Sequence, residues 1–348
     1  MILLGLYSEE GIASSMEIVE KRIIQLRGCS KMCHASTFLK TGLGRELVAW
    51  FGGEREGSDD TAIWLTMRES GQSEFSRPKV LHRSDEPHWN PVLFQMDDKT
   101  IWLFFKMGKS IHTWRTYLME SVDGGISWSE ARELVPGDEG GRGPVKNKPI
   151  RIHSGAILAP ASFESDEWWS FVDIYDNRSG GWHKSCEVHI KLRGQRNEVS
   201  TDIPVSGQSF HGRGVIQPTL WQDEEEMVHM LIRSSEGTLY KSDSADGGEN
   251  WCPAYPIGVP NNNSGIDLDK MPDGRIVLVC NPVGEDWGRR TPLELLVSDD
   301  NGMTFVKMLA LETGRGEYSY PSVIAKEDYL YVTYTYNREA VAYMKLKY

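Results

Sequence analysis

Several side chains in this 348-residue chain could bind and transform an anion. Arg55, Lys106, Lys148, Arg233, Arg290 and Arg338 are cations, and an arginine fork can hold both oxygens of a carboxylate at once. His34, Tyr318 and Tyr320 can move a proton. Asn90 and Asn281 can donate to a substrate oxygen, and Glu164, Gln217 and Asp267 add acceptors. A sugar carboxylate neutralised by Arg, His or Asn, with Tyr or His taking the adjacent proton, is the donor set for elimination of a uronate. These groups act together only if the fold gathers them. Six cations drawn together without a counter-charge would repel one another. Convergence therefore calls for an anionic ligand, most simply a carboxylate, unless Glu54, Glu56, Glu164 or Glu317 neutralise the cations as structural pairs.

The elements that must position these groups are repeated. Ser121-Val-Asp-Gly-Gly-Ile-Ser-Trp128 returns as Ser244-Ala-Asp-Gly-Gly-Glu-Asn-Trp251 and as Ser298-Asp-Asp-Asn-Gly-Met-Thr-Phe305. Asp and Ser cap nearby backbone, Gly permits a tight hairpin and the aromatic packs beneath. Degenerate copies lie at Glu69 to Phe75 and at Asn177 to Trp182. The Asp position falls at 69, 123, 177, 246 and 300, with spacings of 54, 54, 69 and 54. A period near 54 divides the chain about six times, and units of roughly 40–50 residues with four strands each are propeller blades.

Strand patterns agree. First strands are expected from His34, Asn90, Lys148, Gln217, Gly265 and Tyr320, several opening on an X-Pro pair that suits a strand start. Second strands are expected at 46–51, 101–105, 156–159, 227–232, 275–280 and 329–335. The expected architecture is all-β: a six-bladed β-propeller of four-stranded antiparallel blades, one domain over 1–348. A strand at 21–26 would pair with 340–346 and close the last blade, hiding free edges. First-strand starts would bring His34, Asn90, Lys148, Gln217, Asp267 and Tyr320 to a central mouth. Second-strand ends would bring Glu54, Arg55, Lys106, Glu164, Arg233, Asn281 and Arg338, with Arg290 opening the strand before the third repeat unit. Arg233, Arg290 and Arg338 are expected to share one pocket.

A formal net charge of −12 argues against nucleic acid as a general partner. No run approaches the ~18 apolar residues of a membrane span. Residues 1–7 lack a basic segment and a long apolar core, so a cytoplasmic protein is expected. Five cysteines at irregular spacing form neither a disulfide framework nor a zinc pattern. No phosphate-binding or dinucleotide fingerprint occurs, so no cofactor and no metal are expected. Trp89 and Trp114 can stack on a sugar or pack in a core, and Asn261-Asn-Asn-Ser-Gly265 reads as a mouth loop.

The repeated unit resembles the Asp box of sialidases. Together with Trp50-Phe-Gly-Gly-Glu-Arg-Glu56, Trp89-Asn-Pro-Val92, Asn147-Lys-Pro149 and Tyr318-Ser-Tyr-Pro321, it makes the chain similar to bacterial sialidase-like proteins from Cys33 to Arg338. The resemblance implies an exo-acting glycoside hydrolase with three arginines on the substrate carboxylate, a Tyr–Glu nucleophile and an Asp acid. Asp59 or Asp60 would be the acid, Arg233 and Arg290 the second and third arginines, and Tyr318 or Tyr320 the nucleophile. Two positions depart from that pattern: His34 stands where the first arginine is expected, and Gln217 where the assisting Glu is expected. The expected partner is an acidic oligosaccharide or glycoside. Uronate elimination and carbohydrate binding without catalysis are the alternatives.

Overall fold

The structure is a computed structural model that describes residues 16–25, 28–97, 99–194 and 212–348. Every regular element among them is a strand. The chain opens with β1 (Glu17–Gln25), then forms an antiparallel sheet of β2 (Met32–Lys40), β3 (Glu46–Gly53), β4 (Ala62–Arg68) and β5 (Lys79–His82). The next sheet is β6 (His88–Gln95), β7 (Ile101–Met107), β8 (Arg115–Ser121) and β9 (Arg132–Glu133). An eight-stranded sheet follows. It comprises β10 (Ile150–Arg151), β11 (Ile157–Glu164), β12 (Glu167–Asp176) and β13 (Gly181–Lys184), then β14 (Arg213–Gln222), β15 (Val228–Ser234), β16 (Thr238–Ser244) and β17 (Tyr255–Pro260). A short parallel contact, Glu167 to Arg213 and Trp168 to Gly214, links its two antiparallel halves. The fourth sheet is β18 (Asp267–Lys270), β19 (Ile276–Cys280), β20 (Leu293–Ser298) and β21 (Val306–Glu312). The last runs β22 (Tyr318–Lys326), β23 (Tyr329–Tyr336), β24 (Ala340–Lys347) and β1. Lys21 lies opposite Met344 in that pairing; Leu26 of the expected strand is outside the described residues.

Apolar side chains from successive sheets interlock. Leu47 and Phe51 pack with Leu93 and Leu103, Val92 and Phe104 with Ile157, and Leu158 and Val172 with Met230. Trp221 meets Leu278, Val277 meets Val332, and Tyr343 returns to Phe38 and Trp50 of the first sheet. Burial on both faces explains why the second strands read as apolar runs.

The first strands do not begin at their X-Pro pairs. In β2, β6, β14 and β22 the pairing slips by one residue, as two residues face one across the ladder. The slips fall at Ala35-Ser36, Asn90-Pro91, Gln217-Pro218 and Tyr320-Pro321. Their first residues have φ of 50°, 39°, 54° and 53°. A bulge leaves its extra residue out of the ladder, so proline's missing N–H costs little there. The register also shows Ala35, not His34, as the counterpart of Asn90, Gln217 and Tyr320. The expected strand at Lys148 shrinks to Ile150–Arg151, and the one at Gly265 to Asp267–Lys270.

The repeated turns hold as designed by their spacing. Asp123 accepts from Ile126 N, Ser127 N and Ser127 Oγ, Ser121 Oγ accepts from Gly125 N, and Trp128 Nε1 donates to Gly125 O. Asp246 and Asp300 repeat the scheme. The Ser127 bonds, with the others, hold the Asp123 carboxyl down to about 2. A depressed carboxylate contributes stability above its unfolded value of about 4 and loses it as pH falls through about 2. Asp123→Ala is expected to cost about 0.5–1.5 kcal/mol near neutrality, since solvent screens an exposed carboxylate, with the gap from wild type closing below pH ~3. Thermal melts across that range would show it, and a gap independent of pH would refute it.

Candidate active site

The bulges and the second-strand ends build one pocket. Its lining includes His34, Asn90, Gln217 and Tyr320 from first strands, Arg233 from β15 and Glu164 from β11. Arg290, Arg338 and Glu56 come from loops, and Trp89, Ile111, Trp114, Trp168, Ile216 and Trp287 complete the wall. Arg233, on β15, thus meets Arg290 and Arg338, which lie in loops joining strands of two other sheets. Arg338 is not a strand end as expected. It sits beside Asn337 in the turn between β23 and β24, both at positive φ (54° and 52°), where Glu339 N donates to Tyr336 O. This geometry favours Gly at the Arg338 position; a long cation held there marks a site where backbone strain serves position.

Tyr320 occupies the centre. Its ring lies 4.1 Å from that of His34, with Arg233 and Arg290 at 5.7 and 5.3 Å from its centroid. Arg233 Nη1 donates to the Tyr320 hydroxyl at 2.8 Å and to Gln217 Oε1 at 2.8 Å, while Nε and Nη2 donate to Asn263 Oδ1. Arg290 Nη1 donates to Glu317 at 2.6 Å, and Arg338 Nε donates to the same carboxylate at 3.0 Å. Arg338 Nη1 donates to Glu56. Arg338 Nη2 is buried with no hydrogen-bond partner. Gly265 passes beneath the ring: a Cβ there would stand 3.2 Å from both Lys146 Cε and Tyr320 Cγ.

The electrostatics follow from burial and these cations. Burial, then Arg338, Arg290, Lys146 and Arg233, hold His34 well below its ordinary range, so its imidazole is neutral; its Nδ1 lies 2.9 Å from Thr335 Oγ1. Burial pushes the Glu164 carboxyl up, with Arg233 the main opposing influence. Burial also raises Glu317, but Arg290 and Arg338 outweigh it and hold it ionised. Lys146, donating to Asn147 Oδ1, Ile266 O and Pro321 O beneath the pocket, is drawn down to about 7 by desolvation.

Other expected site residues lie elsewhere. Arg55, Asp59 and Asp60 are exposed and line no part of this pocket. Asp60 caps its own loop, accepting from Glu54 N and Ser58 Oγ, and Asp59 lies 4.0 Å from Lys109. The loop sends Glu56 inward instead. Tyr318 packs in the core against Tyr336, since the bulge breaks strand alternation between positions 318 and 320. Lys106 is buried under Trp114, donating to Thr116 Oγ1 and Arg142 O. Lys148 pairs with Asp267, which also accepts from Thr219 Oγ1 and Val323 N and so ties three sheets together. Asn281 donates to Pro292 O and Tyr318 O as a structural link. Asn90 donates to Val145 O from within the lining. Lys146, Trp168 and Trp287 were not foreseen; nothing in their local sequence marks them. Asn263 belongs to the expected mouth loop, and Glu56 and Glu317 are the neutralising pairs anticipated for the cations.

An all-β chain of antiparallel four-stranded units, with arginines gathered at one mouth, belongs to the sialidase class of folds. The solved structures agree. A protein of unknown function from Dyadobacter fermentans superposes with a TM-score of 0.74 at 15% identity, covering 96% of this chain and 99% of that one. The Hadza microbial sialidase Hz136 gives 0.71 at 13%, covering 92% and 66%. The intramolecular trans-sialidase of Ruminococcus gnavus, in complex with oseltamivir carboxylate, gives 0.69 at 11%, covering 95% and 98%. Residues 44–332 match the BNR repeat-like domain, and the chain belongs to that sialidase-like family. No curated protein sequence matches it.

Proposed function

We propose that the chain is an exo-acting glycoside hydrolase that removes an acidic terminal sugar from an oligosaccharide or glycoside, on a single six-bladed propeller. The eight-stranded sheet divides at its short parallel contact into two four-stranded halves, which with the four other sheets supports six blades, and the apolar contacts returning from Tyr343 to Phe38 and Trp50 support closure. The observation that carries the function is an unbalanced cation. Arg233 is 2% exposed, yet its hydrogen bonds go to two amide oxygens and a phenol, none to a carboxylate. Arg290 and Arg338 already share Glu317, and Arg338 also takes Glu56. The remaining lining carboxyl, Glu164, is raised by burial and bonds only to Ser162 and Gln217, so Arg233 has no carboxylate hydrogen-bond partner, and Arg338 Nη2 is an unmet donor. A buried cation and an unmet donor are both costly. One substrate carboxylate relieves both, and the indoles around it offer faces for a sugar ring.

Tyr320 then stands beside the bound sugar as the group that adds to the anomeric carbon. A second reading has its own support: neutral His34 against Tyr320 is a base beside a proton-transfer group, suited to elimination from a uronate. Incubation with a panel of acidic glycosides tests both. Release of a saturated acidic sugar supports hydrolysis. An unsaturated, ultraviolet-absorbing product supports elimination. Calorimetric binding with neither product identifies a carbohydrate-binding propeller and refutes the enzyme.

A further inference from the structure

We infer that Glu164 gives a proton to the departing glycosidic oxygen and takes one from the incoming water, an assignment that rests on the hydrolase reading. Glu56 and Glu164 are the carboxyl groups lining the pocket among the described residues. Their settings are opposite. Glu56 accepts from Arg338 Nη1, so it is held as an acceptor beside a cation. Glu164, at the end of β11 and 7% exposed, has only neutral hydrogen-bond partners: Ser162 Oγ at 3.3 Å and Gln217 Nε2 at 3.4 Å. Both bonds are long, which leaves its oxygens available to a ligand. The charged groups facing it are Arg233 from β15 and Lys106 from β7. Arg233 is committed to Asn263, Gln217 and Tyr320, and Lys106 to Thr116 and Arg142 O. Burial raises the carboxyl despite these cations. A carboxyl raised by burial and only loosely hydrogen-bonded is placed to hold a proton and release it to a ligand oxygen.

Gln217 sets the geometry. Its amide nitrogen meets Glu164, and its amide oxygen meets Arg233 Nη1, which also meets the Tyr320 hydroxyl. The acid and the phenol therefore stand at the two ends of one hydrogen-bonded chain. In the first step the glycosidic C–O bond breaks, its electron pair stays on the leaving oxygen, and that oxygen takes the Glu164 proton. Tyr320 oxygen bonds to the anomeric carbon, its phenolic proton passing to water. In the second step Glu164 takes a proton from an incoming water, whose oxygen bonds to the anomeric carbon. The Tyr320–carbon bond breaks and the phenol recovers its proton. The net change is one water added across one glycosidic bond.

Glu164→Gln preserves shape and removes the proton. Turnover of a glycoside with a poor alcohol leaving group should fall about 10²–10⁴-fold, whereas the nitrophenyl glycoside of the same sugar, which needs little protonation, should fall far less. Equal losses on both substrates, or none, would overturn the assignment while leaving hydrolysis intact. A wild-type chain that turns over no acidic glycoside would overturn the hydrolase reading and the assignment with it. A substrate-free readout runs in parallel. With a raised folded-state value, wild type loses stability relative to Glu164→Gln as pH climbs from the unfolded value of about 4.5 through the folded one. A stability difference that stays constant over that range would show that folding does not raise the Glu164 carboxyl, and the proton-donor role would fall.

Discussion

Arg233→Ala is expected to weaken capture of an acidic glycoside by about 2–5 kcal/mol, or roughly 30- to 4,000-fold at about 1.4 kcal/mol per decade. The size follows from burial. Arg233 is almost sealed from water, so its attraction for a bound carboxylate is poorly screened. Fold stability should suffer less. The groups left behind are the amide oxygens of Gln217 and Asn263 and the Tyr320 hydroxyl, which water entering the vacated space can satisfy. Arg338 makes a poorer probe, because its removal strands Glu56 and part of the bonding of Glu317, and an uncompensated buried charge destabilises the fold itself. Arg233→Lys keeps the charge and loses the fork, so it should fall between wild type and Arg233→Ala. Calorimetry with an acidic sugar and with its neutral, carboxamide analogue reads the effect. Equal losses for the two ligands would show that Arg233 shapes the pocket without holding a carboxylate.

How much of this was legible depended on whether the cause was local. The Asp123, Asp246 and Asp300 turns are self-contained, with every capping partner within four residues, so spacing alone announces them. The second strands were legible because burial on both faces writes a continuous apolar run. Their shared register placed Arg233 at the pocket, which Arg290 and Arg338 reach from the loops beside their strands. The failures have non-local causes. Lys148 reads as a mouth cation until Asp267, from another sheet, claims it. Lys106 lies across the ladder from Trp89 as Arg233 lies across from Ile216, yet Trp114 covers it and its amine turns to Thr116. Asp59 and Asp60 depend on the path of a loop, and the loop uses Asp60 to cap itself. The X-Pro pairs were visible but read as strand starts, and that misplaced the bulge on which the choice between Tyr318 and Tyr320 turns.

That choice leads to the second large effect. Tyr320→Phe is expected to lower kcat on the order of 10³-fold or more while affinity for an acidic ligand changes little. The substitution removes one oxygen and keeps the ring that packs on His34 and lies between Arg233 and Arg290. Arg233 keeps its bonds to Gln217 and Asn263, so the carboxylate site stays assembled. Tyr318→Phe provides the matched contrast: Tyr318 is buried against Tyr336, away from the pocket, and its loss should leave kcat near wild type. The positive φ of Tyr320, strained for an aromatic residue, makes sense on this account. A regular strand would alternate sides and return residue 320 to the side of residue 318. The bulge turns it to the centre, where its hydroxyl meets Arg233. If Tyr320→Phe retained turnover within about tenfold, the phenol would be a spacer among cations rather than the group that reacts. The neutral imidazole of His34 would then stand with Glu56 and Glu164 as a proton acceptor in the pocket, and an unsaturated product would mark elimination as the reaction this geometry performs.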